Sequence, residues 1–332
     1  MLWFRSLFSP DSLWNLRLAA WRAGGKLNHV SGAPNGKKLG SITAVVPFYG
    51  DSAILEWFLS YHLRLGVIFF VFLDLSADQT LAPLLLKRKD CAVWTVKKNF
   101  VPSDADNALN FLRHKYARDR WCLSIEPCDF LVFPHSETRH IRDLTDFLDN
   151  EQRSSVFAII VDAYADQPVD EADGLEDVSP FVRLPFFDQF GYQTLDENTG
   201  TIVGGVRRRA LCAETPNTAP PLNRVPLVKL KSDVYYLTST RRLIPAHLNK
   251  AHSDWHSSPT GCLMRYALIS SEMAMHTAKL VKANQMPGEI SSPLPQGSAA
   301  LALLHLKTQG SGRYESSRDL LNCGLLNNGQ WF

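Results

Sequence analysis

The reading of the fold turns on Ile42 to Thr80, ITAVVPFYGDSAILEWFLSYHLRLGVIFFVFLDLSADQT. Ile42 to Phe48 is a short apolar run of strand length, and Ile54, Trp57, Phe58, Tyr61 and Leu65 then recur at helical spacing. Val67 to Leu73 is apolar throughout, as a strand buried on both faces must be. Strand, helix and buried strand in immediate succession predict a βαβ unit, because parallel strands need a crossover and a helix is the usual one.

The same alternation extends along the chain. Gln79 to Lys89 reads as a helix, Cys91 to Val96 as a strand, Asp104 to Arg118 as a helix, and Trp121 to Ile125 as a strand that resumes at Phe130 to Phe133. Ile141 to Asn150 is helical and Val156 to Val161 is another buried strand. The expectation is an α/β fold with an open, mostly parallel sheet flanked by helices over residues 41–270, and a helical C-terminal extension over residues 271–332 packing on it.

Residues 1–40 read differently. Pro10, Asp11 and Ser12 signal a helix start, after which Leu13, Trp14, Leu18 and Trp21 can share one face while Arg17 and Arg22 point elsewhere. With Arg5 and Lys26 this is a basic amphipathic helix, suited either to packing on its own protein or to peripheral contact with an anionic membrane surface through residues 1–26. Gly24 to Gly40 then reads as a linker.

Composition narrows the classes. Over 332 residues, 35 Lys and Arg nearly cancel 33 Asp and Glu, giving a formal charge of +2 and no global electrostatic basis for binding nucleic acid. The six cysteines form no C-x-x-C pair, which suggests free thiols in a reducing, cytoplasmic setting. No apolar run approaches the roughly 18 residues needed to cross a bilayer.

Ligands of open α/β sheets collect at the carboxyl ends of the strands. Asp74 and Asp78 follow one strand, Glu126 and Asp129 flank a turn after another, and Asp162 closes Val156 to Val161. A carboxylate at the first position can accept hydrogen bonds from a ribose or base, and a carboxylate pair at the second can hold Mg²⁺ or Mn²⁺ against a diphosphate. Acidic residues in such turns also cap helices, so the residues alone leave both roles open. His247, His252 and His256 have spacings that suit a surface loop better than a metal site.

Ile42 to Thr80, then RWCLSIEPCDFLVFPH (Arg120 to His135), PFFDQFGY (Pro185 to Tyr192), GGVRRR (Gly204 to Arg209), PPLNRVPLVK (Pro220 to Lys229), STRRLIP (Ser239 to Pro245), TGCLMR (Thr260 to Arg265) and RYESSRDLLNCGLLNNGQW (Arg313 to Trp331) resemble, in order, the motifs of glycosyltransferase family 2-like proteins. The resemblance implies a GT-A fold, a nucleotide-sugar donor, a saccharide or surface-glycan acceptor, and an acidic element whose divalent cation bridges the donor diphosphate. This chain departs from that pattern where the chemistry lies. Asp51 is the only stand-in for the acidic turn after the first strand, and Glu126-Pro127-Cys128-Asp129 replaces Asp-x-Asp-Glu, putting a soft thiol where a hard ligand belongs. Arg241 and Arg265 align with two histidines of the family pattern.

Carried over, the resemblance assigns donor binding to Asp74, Asp78, Glu126, Arg207, Arg241 and Arg265, and acceptor binding to Asp162 and Asp188. The base for the acceptor hydroxyl falls to Asp129 or Asp51, and Glu126 with Asp129 is what remains of a site for Mg²⁺ or Mn²⁺, with no tightly bound ion expected. Arginines in place of histidines beside a lost carboxylate keep positive charge on a diphosphate, since guanidinium binds phosphate oxygens bidentately. The alternative is a homologue that keeps the fold, has lost catalysis and acts as a binding or partner subunit.

Overall fold

The computed structural model describes residues 12–32, 42–50, 52–167, 178–196, 200–213, 215–238, 242–252, 257–267 and 305–331. Its strands are Leu27–Gly32 (β1), Ile42–Phe48 (β2), Val67–Asp74 (β3), Cys91–Val96 (β4), Arg120–Ser124 (β5), Asp129–Val132 (β6), Ser155–Asp162 (β7), Phe186–Asp188 (β8), Gln193–Asp196 (β9), Thr201–Val203 (β10), Asn223–Leu230 (β11), Tyr235–Thr238 (β12), Arg242–Ile244 (β13), Gly261–Arg265 (β14) and Ser311–Arg313 (β15). The α-helices are Leu13–Gly24 (α1), Leu55–Leu65 (α2), Leu81–Leu85 (α3), Ala105–Ala117 (α4), Ile141–Asn150 (α5), Pro180–Arg183 (α6) and Ser317–Asn322 (α7).

Nine strands form one open sheet in the order β1-β4-β3-β2-β5-β11-β7-β14-β6. The α/β expectation is met: β4, β3, β2 and β5 are parallel neighbours, as are β7 and β14, and helices cover the faces. The βαβ unit is built as its sequence dictates. Every residue of β2 is buried, α2 buries Leu55, Phe58, Leu59, His62 and Leu65, and Gly66 closes the helix with φ of 105°, a left-handed cap that leads straight into β3.

Several local expectations change. The strand expected to resume at Phe130 to Phe133 does not continue β5; β6 lies at the far edge of the sheet, with β11, β7 and β14 between them. The turn holding Glu126 and Cys128 therefore carries the chain across the ends of those strands. β1, β6 and β11 run antiparallel to their neighbours, so the sheet is mixed at its edges and centre. The helix expected over Gln79 to Lys89 spans only α3, because Arg88 turns to Asp90 (2.8 Å) and Glu56 (3.3 Å) and leads the chain into β4.

The expected linker from Gly24 to Gly40 contains β1, an edge strand on β4 held by backbone hydrogen bonds that leave little trace in hydropathy. Residues 33–41 lie outside the described residues. The buried face of α1 is Leu16, Ala20 and Ala23, not the Leu13, Trp14, Leu18 and Trp21 face. The small side chains bring α1 so close to α4 that a Cβ on Gly24 would sit 2.5 Å from the Phe111 ring. Of the expected helical extension, residues 271–304 lie outside the described residues. The rest forms β15 on β8, then α7, and ends with Trp331 buried between Phe133 and Phe147.

Candidate functional site

Register assembles the candidate site. β14 runs parallel to β7 with Arg265 opposite Asp162, and antiparallel to β6 with Arg265 opposite Asp129. Three residues far apart in sequence thus occupy one row at the carboxyl ends of β7 and β14, where open α/β sheets take their ligands. Arg265 donates from Nε to Asp129 Oδ1 at 2.6 Å and from Nη2 to Asp129 Oδ2 at 2.7 Å, and Nη2 lies 3.0 Å from Glu126 Oε2. Beside it Arg207 forks onto Asp162, with both bonds at 2.7 Å. Arg265, Asp129, Arg207 and Asp162 are all buried.

Desolvation works against the charge of Arg265, but Asp129 and then Glu126 outweigh it and raise its guanidinium well above the usual range. Desolvation pushes the buried Cys128 thiol well up, so it stays protonated between the two carboxylates. Arg224, on β11, is half-buried and its Nη1 donates to the carbonyls of Pro221 (3.0 Å) and Asn223 (2.7 Å). Desolvation, followed by the fields of Arg265 and Arg207, pushes it down to about 9. Three guanidinium groups therefore share the same strand ends with the carboxylates of Asp129, Glu126 and Asp162, and of the three arginines Arg224 makes no carboxylate pair among the described residues. Tyr49, just past β2, faces the same cluster, its phenol pushed up by desolvation and then by the charge of Glu126.

A second network lies next to the first. Arg209 forks onto Asp188 at 3.0 and 2.9 Å and donates to the carbonyl of Leu306 at 2.7 Å. The Tyr164 hydroxyl lies 2.5 Å from Asp188 and 2.7 Å from Ser311. Of the three consecutive arginines, two are thus committed to different buried carboxylates by the helical turn Arg207–Leu211.

The other sequence candidates fall elsewhere. Asp74 is buried and accepts from the backbone N–H of Ser76 (3.0 Å) and Leu81 (3.1 Å) and from the Ser76 hydroxyl (2.5 Å), so it shapes the turn into α3. Asp78 is exposed in that turn. Asp51, Arg241 and His256 lie outside the described residues. Arg224 and Tyr49 lie within the quoted stretches Pro220 to Lys229 and Ile42 to Thr80, but nothing in those stretches singles them out; only the order of strands brings them to Glu126.

One further supporting group escaped notice. Arg113 on α4 is buried without a carboxylate: its Nε donates to Ser124 Oγ at 2.8 Å, its Nη1 to Asn110 at 3.1 Å, and its guanidinium lies 4.3 Å from the centre of the Tyr236 ring. Tyr236 in turn donates to the carbonyl of Val225 at 2.7 Å, which braces β11 just beside Arg224. Cation–π contact and hydrogen bonds replace an anion here.

A cleft of about 500 Å³ opens between Tyr61, Arg64, Glu137, Phe181 and Tyr314. It is lined by none of the candidate residues, and its wall residue Phe181 packs on the Phe130 and Tyr266 rings, each 5.1 Å away.

The donor set does not suit a hard divalent cation. Both oxygens of Asp129 are taken by a guanidinium that also reaches Glu126, and the residue between them is a protonated thiol. No protein-family model matches the chain, and no curated protein is significantly similar to it.

Proposed function

We propose that this protein transfers a sugar from a nucleotide-activated donor to a saccharide or surface-glycan acceptor, with arginines rather than a divalent cation on the donor diphosphate. The observation that carries the reading is the Arg265 guanidinium across Asp129 and Glu126 at the carboxyl ends of the sheet strands. In such a transfer the bond from the anomeric carbon to the diphosphate oxygen breaks, a bond to the acceptor oxygen forms, and the acceptor hydroxyl gives up its proton to a base, for which Glu126 is the candidate. Negative charge grows on the leaving diphosphate, so fixed positive charge at that point is what lowers the barrier. Arg265 keeps Nη1 outside its carboxylate pairs, and Arg224 has no carboxylate partner among the described residues; both are suited to phosphate oxygens. Asp129, held on both oxygens, is a positioning residue for Arg265 and not the base, and Glu126 is the carboxylate nearest to solvent in the cluster.

The second reading, a binding or partner subunit without catalysis, is favoured by one specific feature: Asp129, Asp162 and Asp188 are each already engaged by an arginine. Calorimetry with UDP- and GDP-sugars, followed by measurement of nucleotide release with a glycan acceptor, separates the two. The expected outcome is donor binding and release that EDTA leaves intact and that Arg265→Gln loses. Binding without release supports the subunit reading, and no binding to any donor, or loss of transfer in EDTA, removes the proposal.

A further inference from the structure

Helix α1 turns its large side chains outward. Leu16, Ala20 and Ala23 hold it to α4, while Trp14 and Trp21 are 67% and 69% exposed and Leu13 is 37% exposed. Seven residues bring a helix within about 20° of two full turns, so the two tryptophans stand on one line, with Leu18 beside them. Arg17 and Arg22 are exposed and flank that line on either side. Ser12 caps the helix through the Asn15 N–H, so its start is fixed without the tryptophans.

The charges that α1 itself carries are basic. From Ser12 to Gly32 the sequence has no Asp or Glu, and it carries Arg17, Arg22 and Lys26. Exposed Lys97 is bound to the end of α1 through the Gly25 carbonyl at 2.8 Å, with exposed Lys98 beside it. Lys26 pairs with Asp104 at 2.7 Å, and Arg17 donates from Nη2 to the Ser232 carbonyl at 3.1 Å.

We propose that this face of α1 docks on an anionic phospholipid surface, with the helix lying in the plane of the interface. Tryptophan favours the boundary between headgroups and acyl chains, and flanking arginines meet lipid phosphates while their stems lie along the apolar layer. The helix is far too short and too polar to enter the bilayer, and among the described residues no helix is long and apolar enough to cross one. A second copy of the chain is a poor occupant, because a two-fold contact between these faces would set Arg17 and Arg22 of one copy against those of the other.

The test uses the full chain and sedimentation with vesicles of phosphatidylcholine alone or mixed with phosphatidylglycerol. The protein should pellet with the mixed vesicles, remain in solution with the neutral ones, and be released by high salt. Trp14→Gln with Trp21→Gln, and separately Arg17→Glu with Arg22→Glu, should each weaken binding by roughly tenfold or more. Thermal midpoints should stay close to that of the unmodified chain, since those side chains are exposed. A chain that stays in solution with both vesicles, binds both equally, or keeps its binding in both variants overturns the proposal. So does a lipid-free dimer in analytical ultracentrifugation that the tryptophan variant abolishes.

Discussion

The guanidinium of Arg265 lies across the carboxylate of Asp129, with Nε to Oδ1 at 2.6 Å and Nη2 to Oδ2 at 2.7 Å, both groups buried. The two residues are directly opposite on antiparallel strands, so backbone register and not side-chain reach sets their geometry. Two charges taken out of water together are worth little net, but either one left alone is costly.

Arg265→Ala alone should therefore destabilise the fold by about 3–5 kcal/mol, because it strands buried Asp129, and Asp129→Ala should cost less, because Glu126 still reaches Arg265 at 3.0 Å. Arg265→Met combined with Asp129→Leu should cost much less than the sum of the two alanine variants. Urea denaturation of the set measures the coupling. Strict additivity would show that the pair does not act as a unit.

Arg224 should matter for the donor more than for the fold. Loss of a charge-assisted contact to phosphate in Arg224→Ala is expected to weaken binding of a nucleotide-sugar by roughly tenfold to a hundredfold. Arg224→Lys should restore part of it, as a point charge without the fork. Calorimetry reads both, and equal affinity in all three chains would remove Arg224 from the site.

His62 gives the fold a defined pH dependence. Its Nδ1 lies 2.9 Å from the Phe58 carbonyl and its Nε2 accepts from the Leu131 N–H at 3.5 Å, which requires the neutral ring with the proton on Nδ1. Burial pushes it down to about 4 from 6.5. Between those values the unfolded chain carries the proton and the native one does not, so stability falls as pH drops from about 6.5 to 4 and levels off below. The contribution of this one ring is roughly 2–4 kcal/mol over that window. His114, which desolvation also pushes down to about 4, adds its own slope. The difference between wild type and His62→Gln in denaturation from pH 7.5 to 4 isolates the first, and parallel curves would contradict it.

The C-terminal segment docks through a glycine. Gly329 has φ of 57°, and a Cβ there would lie 2.4 Å from the Ser258 backbone, beside the Thr260 N–H to Asn327 carbonyl bond at 3.0 Å. Gly329→Ala should cost about 1–3 kcal/mol through a left-handed backbone and a contact with no flexible atom to move. Near-ultraviolet circular dichroism of the neighbouring Trp331 and the thermal midpoint report it; an unchanged midpoint would mean the segment contributes nothing to the core.

The βαβ unit was legible because its information is local. The apolar runs Ala44 to Phe48 in β2 and Val67 to Leu73 in β3 and the helical spacing of Phe58, Tyr61 and Leu65 each name an element without reference to anything distant. Edge strand β1 was not legible, since it buries almost nothing and is held by backbone bonds. The buried face of α1 was misread for a related reason: hydrophobicity ranks Trp14 and Trp21 above Ala20 and Ala23, but close approach to α4 rewards small side chains.

The candidate site divides in the same way. Glu126, Asp129, Asp162, Arg207 and Arg265 could be named from their places after strands or in motifs. That Arg265 answers Asp129 and Glu126 while Arg207 answers Asp162 could not, because either arginine suits either acid until strand order is fixed. By itself the sequence determined the α/β class and a basic N-terminal helix, both properties of neighbouring residues. Only the tertiary structure decided which charges meet and which face of α1 meets solvent, because both depend on register and packing between segments far apart in the chain.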